Sequence, residues 1–312
     1  QTGGSSLTTM RAAVCHEFGA GLVLEDVNLR APLSGEVEVT LSAVAICHSD
    51  ISYMDGAWGG PLPSVYGHEA AGILPAVGLG SRGVTLGQSV LVTLIKSCGH
   101  CAPCASGEPA YCATSEEIPP ALTQLDGGEI TKAMNCGAFA EKVVVDVSQL
   151  APLPDDIEMD VASLLACGVI TGVGAVVNTA KIRPGQNVVV IGAGGVGLNA
   201  IQGARIAGAD KIVGVDIEPD CKRYESTDVR IFIGDQADRD FWQGLRREVP
   251  KVDIVIDDGG HLPEQQMVSM EEMLPHLAPG GVYLCEDIHS ERSSFASMVH
   301  GLADTLNNNR DQ

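Results

Sequence analysis

Apolar residues along this chain fall into two regimes. Up to about residue 95 they come as short runs broken by Gly and Pro. Leu22–Leu24, Val37–Leu41 and Val90–Ile95 are examples, and the second alternates with period two. Many short strands at this spacing predict a small barrel-like β domain. Residues 98–112 form a Cys-rich lobe, and residues 113–135 are polar, contain Pro and Gly, and read as loop. The pattern changes near 155. Met159–Val177 is rich in Ala, Leu and Val and predicts a helix interrupted at Gly168 and Gly172. From 187 onward strands alternate with helical stretches. Asn187–Ile191, Lys211–Asp216, Val229–Ile233, Val252–Asp257 and Gly281–Glu286 read as strands, and Gly197–Ala207 as a helix. This alternation predicts a doubly wound parallel sheet in the order 3-2-1-4-5, its apolar strands buried by helices on both faces.

Composition narrows the picture. The 312 residues are 45% hydrophobic, enough for a sizeable core and about two domains. The expected division is an N-terminal extension at 1–9, ahead of a start-like Met10-Arg11-Ala12-Ala13-Val14, then a β domain at 10–154 and an α/β domain at 155–312. The formal net charge of −21 repels phosphate backbones and anionic membranes, so neither nucleic acid nor a membrane is an expected partner. No window approaches the roughly 18 apolar residues of a membrane span, and residues 1–10 lack the apolar stretch of an export signal. A cytoplasmic location is expected.

The ten cysteines change the picture most. Cys98, Cys101, Cys104 and Cys112 follow the pattern C-x2-C-x2-C-x7-C. Four thiolates from one short loop can close a tetrahedral Zn²⁺ site with no open position, which is the mark of a structural metal. An iron–sulfur cluster also takes four cysteines, but the ferredoxin spacings differ. A second donor set is more scattered. Cys47 opens Cys47-His48-Ser49-Asp50, His68 lies in Gly67-His68-Glu69, and Cys167 comes far downstream. Thiolate, imidazole and thiolate would suit a catalytic zinc, which keeps one position open. Gly192-x-Gly194-x-x-Gly197 lies between a strand and a helix, with Asp216 at the end of the next strand. Such glycines let backbone N–H groups reach a pyrophosphate at the helix N-terminus. The acid accepts ribose hydroxyls and repels a 2′-phosphate, which favours NAD.

From Met10 to about Asp216 the chain resembles the zinc-type medium-chain alcohol dehydrogenases. The matching stretches are Cys47–Asp50, Gly67–Glu69, the four-Cys lobe, Ala166–Gly172 and Gly192–Gly197. The resemblance implies a GroES-like β-barrel followed by a Rossmann-type sheet. It implies two zinc ions per chain, NAD, and a small alcohol or aldehyde as substrate. Cys47, His68 and Cys167 match the catalytic zinc ligands, and Glu69 a carboxylate that can bind the metal transiently. Asp50 matches the partner that fixes the histidine tautomer, and Ser49 the hydroxyl that takes the alcohol's proton. The histidine that often relays this proton onward has no counterpart near Ser52. His48, Thr171, Gly192, Gly194, Gly195, Val196, Gly197 and Asp216 match the cofactor side.

Residues 216–312 resemble something else, the second half of class I S-adenosylmethionine methyltransferases, in particular sugar O-methyltransferases of macrolide pathways. Val229–Gln236, Ile254–His261 and Pro279–Asp287 carry this likeness. It implies that Asp258, Glu286 and Asp287 hold a divalent metal such as Mg²⁺ and that His261 acts as a base. Acidic strand ends that are simply solvated are the alternative. Two positions before Gly192, where such methyltransferases carry an acid, stands Val190. The dehydrogenase likeness lacks a last strand and the segment that helps form the dimer, although a homo-oligomer stays open. Three functions are thus in play: an NAD-dependent alcohol dehydrogenase, impaired by its foreign C-terminal part; a metal-dependent methyltransferase; and a zinc- and nucleotide-binding protein without turnover.

Overall fold

The computed structural model describes residues 7–114, 118–288 and 293–308. The chain divides into two compact units, Gln1–Cys167 and Gly168–Gln312, a boundary later than the change of pattern near 155.

The first unit is built on two β assemblies. Leu7–Cys15, Val23–Arg30, Leu122–Thr123, Glu129–Lys132 and Ser64–Val65 close a barrel. Leu150–Pro152, Ser89–Val92, Glu69–Val77, Glu36–Ala45 and Lys142–Asp146 form a five-stranded sheet. Leu7, Thr8 and Thr9, from the expected extension, are paired with Arg30, Leu29 and Asn28 in the first strand. Residues 1–6 of the expected extension lie outside the described residues. The stretch 113–135 is not all loop, since Leu122–Thr123 and Glu129–Lys132 pair with each other and complete the barrel. These strands are too short and polar for periodicity to show them. Their inward residues Leu122 and Ile130 nevertheless join Met10, Val14, Val27 and Leu29 in the barrel core.

The second unit is a parallel sheet in the order Val229–Ile233, Lys211–Asp216, Asn187–Ile191, Val252–Asp257, Leu277–Cys285. This is the expected 3-2-1-4-5 arrangement, and the first four strands have the expected bounds. Side chains alternate between the two faces of a strand, so apolar strands without alternation must be covered on both. Val188, Val190, Ile254 and Ile256 pack on one face against Val176, Ala200, Ile201 and Ala204. Val189, Ile191, Val213 and Val255 pack on the other against Trp242, Leu245, Val268 and Met273. The helix Arg239–Glu248 supplies Trp242 and Leu245. It starts where Asp238 accepts from the Asp240 N–H, and it ends with Arg246 and Arg247 in the last turn, so both ends suit the helix dipole. The predicted helix at Gly197 begins earlier, at Gly195, and runs to Ile206. The long helix expected over Met159–Val177 is broken into Met159–Ser163, a 3₁₀ turn at Leu164–Ala166, Gly168–Gly174 and a π-helical turn at Ala175–Thr179. Among the described residues no single helix is long and apolar enough to cross a membrane.

Ile256 is fully buried at the centre of this sheet. Ile256→Ala should cost the second unit about 2–5 kcal/mol, the usual range for a large-to-small core change. The chain has two tryptophans, Trp58 and Trp242, one in each unit. Urea unfolding followed by Trp242 fluorescence in a Trp58→Phe background should therefore move to lower urea. An unmoved midpoint would mean that the strand is not packed as described.

Candidate metal centre and nucleotide cleft

The scattered donor set comes together in the first unit. Cys47 caps the helix His48–Met54, and His68 and Glu69 stand where the strand Glu69–Val77 begins. Cys167 follows the 3₁₀ turn Leu164–Ala166. One ligand atom from each of Cys47, His68, Glu69 and Cys167 lies within 4.8 Å of the others. Zn–S and Zn–N bonds of about 2.0–2.3 Å fit a set of this size after a small contraction.

Asp50 organises the group. Its side chain is fully buried, and its Oδ2 accepts the Cys47 N–H at 3.1 Å. Its Oδ1 accepts the Gly67 N–H at 3.0 Å and faces His68 Nδ1 at 3.1 Å. In the neutral ring, Nδ1–H donation to Asp50 leaves the lone pair on Nε2, the nitrogen a metal would take. Burial opposes charge on His68, but Asp50 and the Cys47 sulfur outweigh it and push the imidazole up to about 10. The contact with Cys167 does most to bring Cys47 down to about 3, against burial and with help from His68. Burial first, then the Cys47 charge, pushes Glu69 up to about 7. The site thus favours thiolate at Cys47 and penalises a second anion at Glu69, as expected of donors waiting for a cation. Ser49 is half-buried on the same turn, and His48 is exposed.

The Cys-rich lobe is equally well formed. Cys98, Cys101, Cys104 and Cys112 also bring their sulfurs within 4.8 Å of one another. The Cys98–Cys104 and Cys101–Cys112 sulfur distances are 4.0 and 3.9 Å, about twice a disulfide bond. N–H groups of His100 and Cys101 and the Thr114 hydroxyl point at Cys98 Sγ, the last at 3.1 Å. Donors aimed at sulfur stabilise thiolate, and the Thr114 hydroxyl is the largest cause holding Cys98 down to about 5. The four sulfurs fit a closed, structural zinc site.

The second unit holds the cleft expected of a nucleotide-binding sheet. A cavity of about 240 Å³ at the C-terminal strand ends is lined by Gly192, Gly194, Asp216, Ile217, Gly234 and Gln236, among others. Gly192 has φ +91°, and a Cβ on Gly197 would meet the Gly192 carbonyl oxygen at 1.8 Å, so the tight turn requires both glycines. Asp216 accepts the Ala193 N–H at 2.6 Å and the Glu218 N–H at 2.8 Å. Its carboxylate is thereby fixed at the cleft, and each oxygen keeps a lone pair for a ribose hydroxyl. Gly194 caps the helix Gly195–Ile206, whose first turn contains Val196. Thr171 lies in the helix Gly168–Gly174, which packs against that helix at Gly172.

The family model of the alcohol dehydrogenase GroES-like domain matches residues 33–155, and that of the alanine dehydrogenase/PNT C-terminal domain matches residues 164–284. A solved alcohol dehydrogenase zinc-binding domain protein from Burkholderia ambifaria superposes with a TM-score of 0.81 at 28% identity, over 95% of this chain and 82% of its own. The chain has the medium-chain dehydrogenase fold. Benzyl alcohol dehydrogenase from Acinetobacter calcoaceticus shares this fold with a TM-score of 0.78 at 26% identity, over 94% of this chain and 82% of its own. In sequence, S-(hydroxymethyl)glutathione dehydrogenase of Paracoccus denitrificans is 40% identical over 222 residues, which are 68% of this chain and 59% of that protein. The chain therefore spans less than two thirds of the length of this curated relative.

These findings correct the reading of residues 216–312. The medium-chain dehydrogenase fold continues beyond residue 216 through the described strands and helices, and no methyltransferase-like region is indicated. The likeness rested on apolar strands that end in acids, a feature any doubly wound sheet can carry. S-adenosylmethionine and Mg²⁺ lose their support with it, and so does the expected impairment. The expected trio Asp258, Glu286 and Asp287 does not gather as a set. Asp258 and Asp287 approach His261 instead, at 3.9 and 3.8 Å, and Glu286 stays outside the group.

Metal analysis checks the two donor sets separately. The chain should carry two zinc ions, and Cys167→Ser should leave one. Cys104→Ser should lose the other and lower thermal stability sharply, since a structural zinc contributes directly to folding. Two ions retained by Cys167→Ser would show that this residue is not a ligand.

Proposed function

We propose that the chain is a zinc-dependent, NAD-linked dehydrogenase acting on a small alcohol or aldehyde. The observation that carries the proposal is the convergence of Cys47, His68 and Cys167 around a histidine whose tautomer Asp50 sets. A zinc ion there would act as a Lewis acid and lower the pKa of a hydroxyl brought to it. The chain's own residues supply the rest. Asp50 orients His68. Ser49, on the turn after Cys47, is placed to take the alcohol's proton. Glu69 stands within the same group of donors and is a carboxylate that can approach the metal. In the second unit the Gly192–Gly197 turn admits a pyrophosphate, with Thr171 as a further cofactor contact, and Asp216 accepts the ribose hydroxyls. The thiolates must stay reduced to hold zinc, so the reading carries with it a reducing compartment such as the cytoplasm.

The test is alcohol oxidation with NAD by the zinc-loaded chain across a panel of primary and aromatic alcohols. Removing zinc with a chelator should abolish the rate, and zinc should restore it. Zinc and NAD binding without turnover on any alcohol would leave a binding protein rather than an enzyme. The cofactor choice has its own check. Asp216→Ala should weaken NAD by about tenfold, as expected for the loss of hydrogen bonds to a charged acceptor. It should also narrow the gap between NAD and NADP, because the charge that repels a 2′-phosphate is gone. Equal affinity of the unaltered chain for both cofactors would count against Asp216 as the discriminating residue.

A further inference from the structure

The wall of the cleft opposite the glycine-rich turn is held by a buried polar network that no motif announces. Asp257 ends the strand Val252–Asp257 and is 1% exposed. No Lys or Arg pairs with it among the described residues. Instead it collects neutral donors. Gln236 Nε2 reaches its two oxygens at 2.8 and 3.0 Å, Ser269 Oγ at 2.8 Å, Tyr283 Oη at 2.6 Å, and the Gly259 N–H at 3.3 Å. These donors come from the strand Leu277–Cys285, the helix Pro263–Met273, the turn after Asp257, and the loop after the strand Val229–Ile233. A buried network satisfied in this way is rigid, and breaking one member leaves others unpaired.

Gln236 is the member that faces the cleft. Its Oε1 accepts the Gly260 N–H at 3.0 Å, and a Cβ on Gly259 would meet that same oxygen at 2.3 Å. Its backbone carbonyl accepts from Trp242 Nε1 at 2.8 Å, so its main chain is seated by the core. On the other side of the turn, a Cβ on Gly192 would meet the Asp258 carbonyl oxygen at 2.2 Å. The stretch Asp258–Gly260 is thus clamped between Gln236 and the glycine-rich turn. The amide of Gln236 does both jobs, donating to a carboxylate and accepting from an N–H.

We infer that Gln236 is a positioning residue for nucleotide binding, fixing the Asp258–Gly260 backbone as the wall of the adenosine half of the cleft. The inference rests on the proposed NAD site. It assigns the wall to the adenosine half because Asp216 and Ile217 line the same cavity. Gln236→Met keeps the length of the side chain and removes both hydrogen-bonding functions.

Calorimetry with the zinc-loaded chain, using NAD and AMP as probes, tests it. Gln236→Met should raise both dissociation constants by the same factor, about tenfold, the scale expected when buried hydrogen bonds that fix a binding wall are lost. Zinc content should not change. Ile256→Ala serves as the control, because it weakens the same sheet without touching Gln236. At a temperature well below its unfolding it should bind both probes as the parent does. A Gln236→Met chain that binds both probes within twofold of the parent would overturn the inference alone. So would weakening of both variants in step with their stability, or a loss confined to NAD. A parent that binds neither probe would overturn the NAD reading itself, and this inference with it.

Discussion

One buried carboxylate holds the metal-binding part of the molecule together. Asp50 is buried, and among the described residues no lysine or arginine pairs with it. It is balanced by two backbone N–H groups and one imidazole. A carboxylate in such a place is costly unless its lone pairs are filled. Filling them requires the helix His48–Met54, the Gly67 turn and the His68 ring to stand in one arrangement. That arrangement carries Cys47 and His68 to within reach of Cys167. The geometry that satisfies Asp50 is therefore also one that brings the metal donors together.

The second unit solves a related problem in a different way. Its chain is strongly acidic, and its strands end in carboxylates just where an anionic nucleotide would enter. Taken as a list, Asp257, Asp258 and Glu286 would repel phosphates. In the fold they are not equivalent. Asp257 turns inward, where burial pushes its carboxyl up and its donors pull it back. Glu286 is half-buried beside Asp287, and burial raises its pKa too. Asp258 offers the cleft wall its backbone carbonyl, against Gly192. Much of the acidity that looks hostile in sequence is absorbed by local partners.

How much of this could be read from residues alone follows from the range of the forces involved. The parallel strands were legible because burial on both faces demands unbroken apolar runs, and Val188–Ile191 or Ile254–Ile256 can be little else. The Cys-rich lobe was legible because all its ligands sit in one short loop. The barrel strands Leu122–Thr123 and Glu129–Lys132 were not, since strands this short show no period and owe their pairing to distant partners. The acids after Val252–Asp257 and Leu277–Cys285 misled for the opposite reason. Strand ends in this architecture look alike whatever they bind, so a local likeness there carries little about chemistry. Gln236 left almost no trace. The one available signal was a glutamine between an apolar strand and the Trp242 helix, a place where a long polar side chain is more often solvated.

Asp50 and Asp257 make the same point about how such a fold places chemistry. Each is buried, each is met mainly by neutral donors, and each ties together elements that are remote in sequence. Neutral donors suit this task better than a salt bridge would. An arginine partner would bring its own desolvation cost and a bulky side chain into a small space, whereas N–H and O–H groups already belong to the turns being fixed. The price is directionality. Hydrogen bonds to a buried acid tolerate little displacement, so the loops they hold have few alternative positions. For the metal donors this gives a ligand set held in one arrangement. For the cleft it gives a wall of bare backbone at Gly259 and Gly260, with Gln236 lining the same cavity and holding that backbone in place.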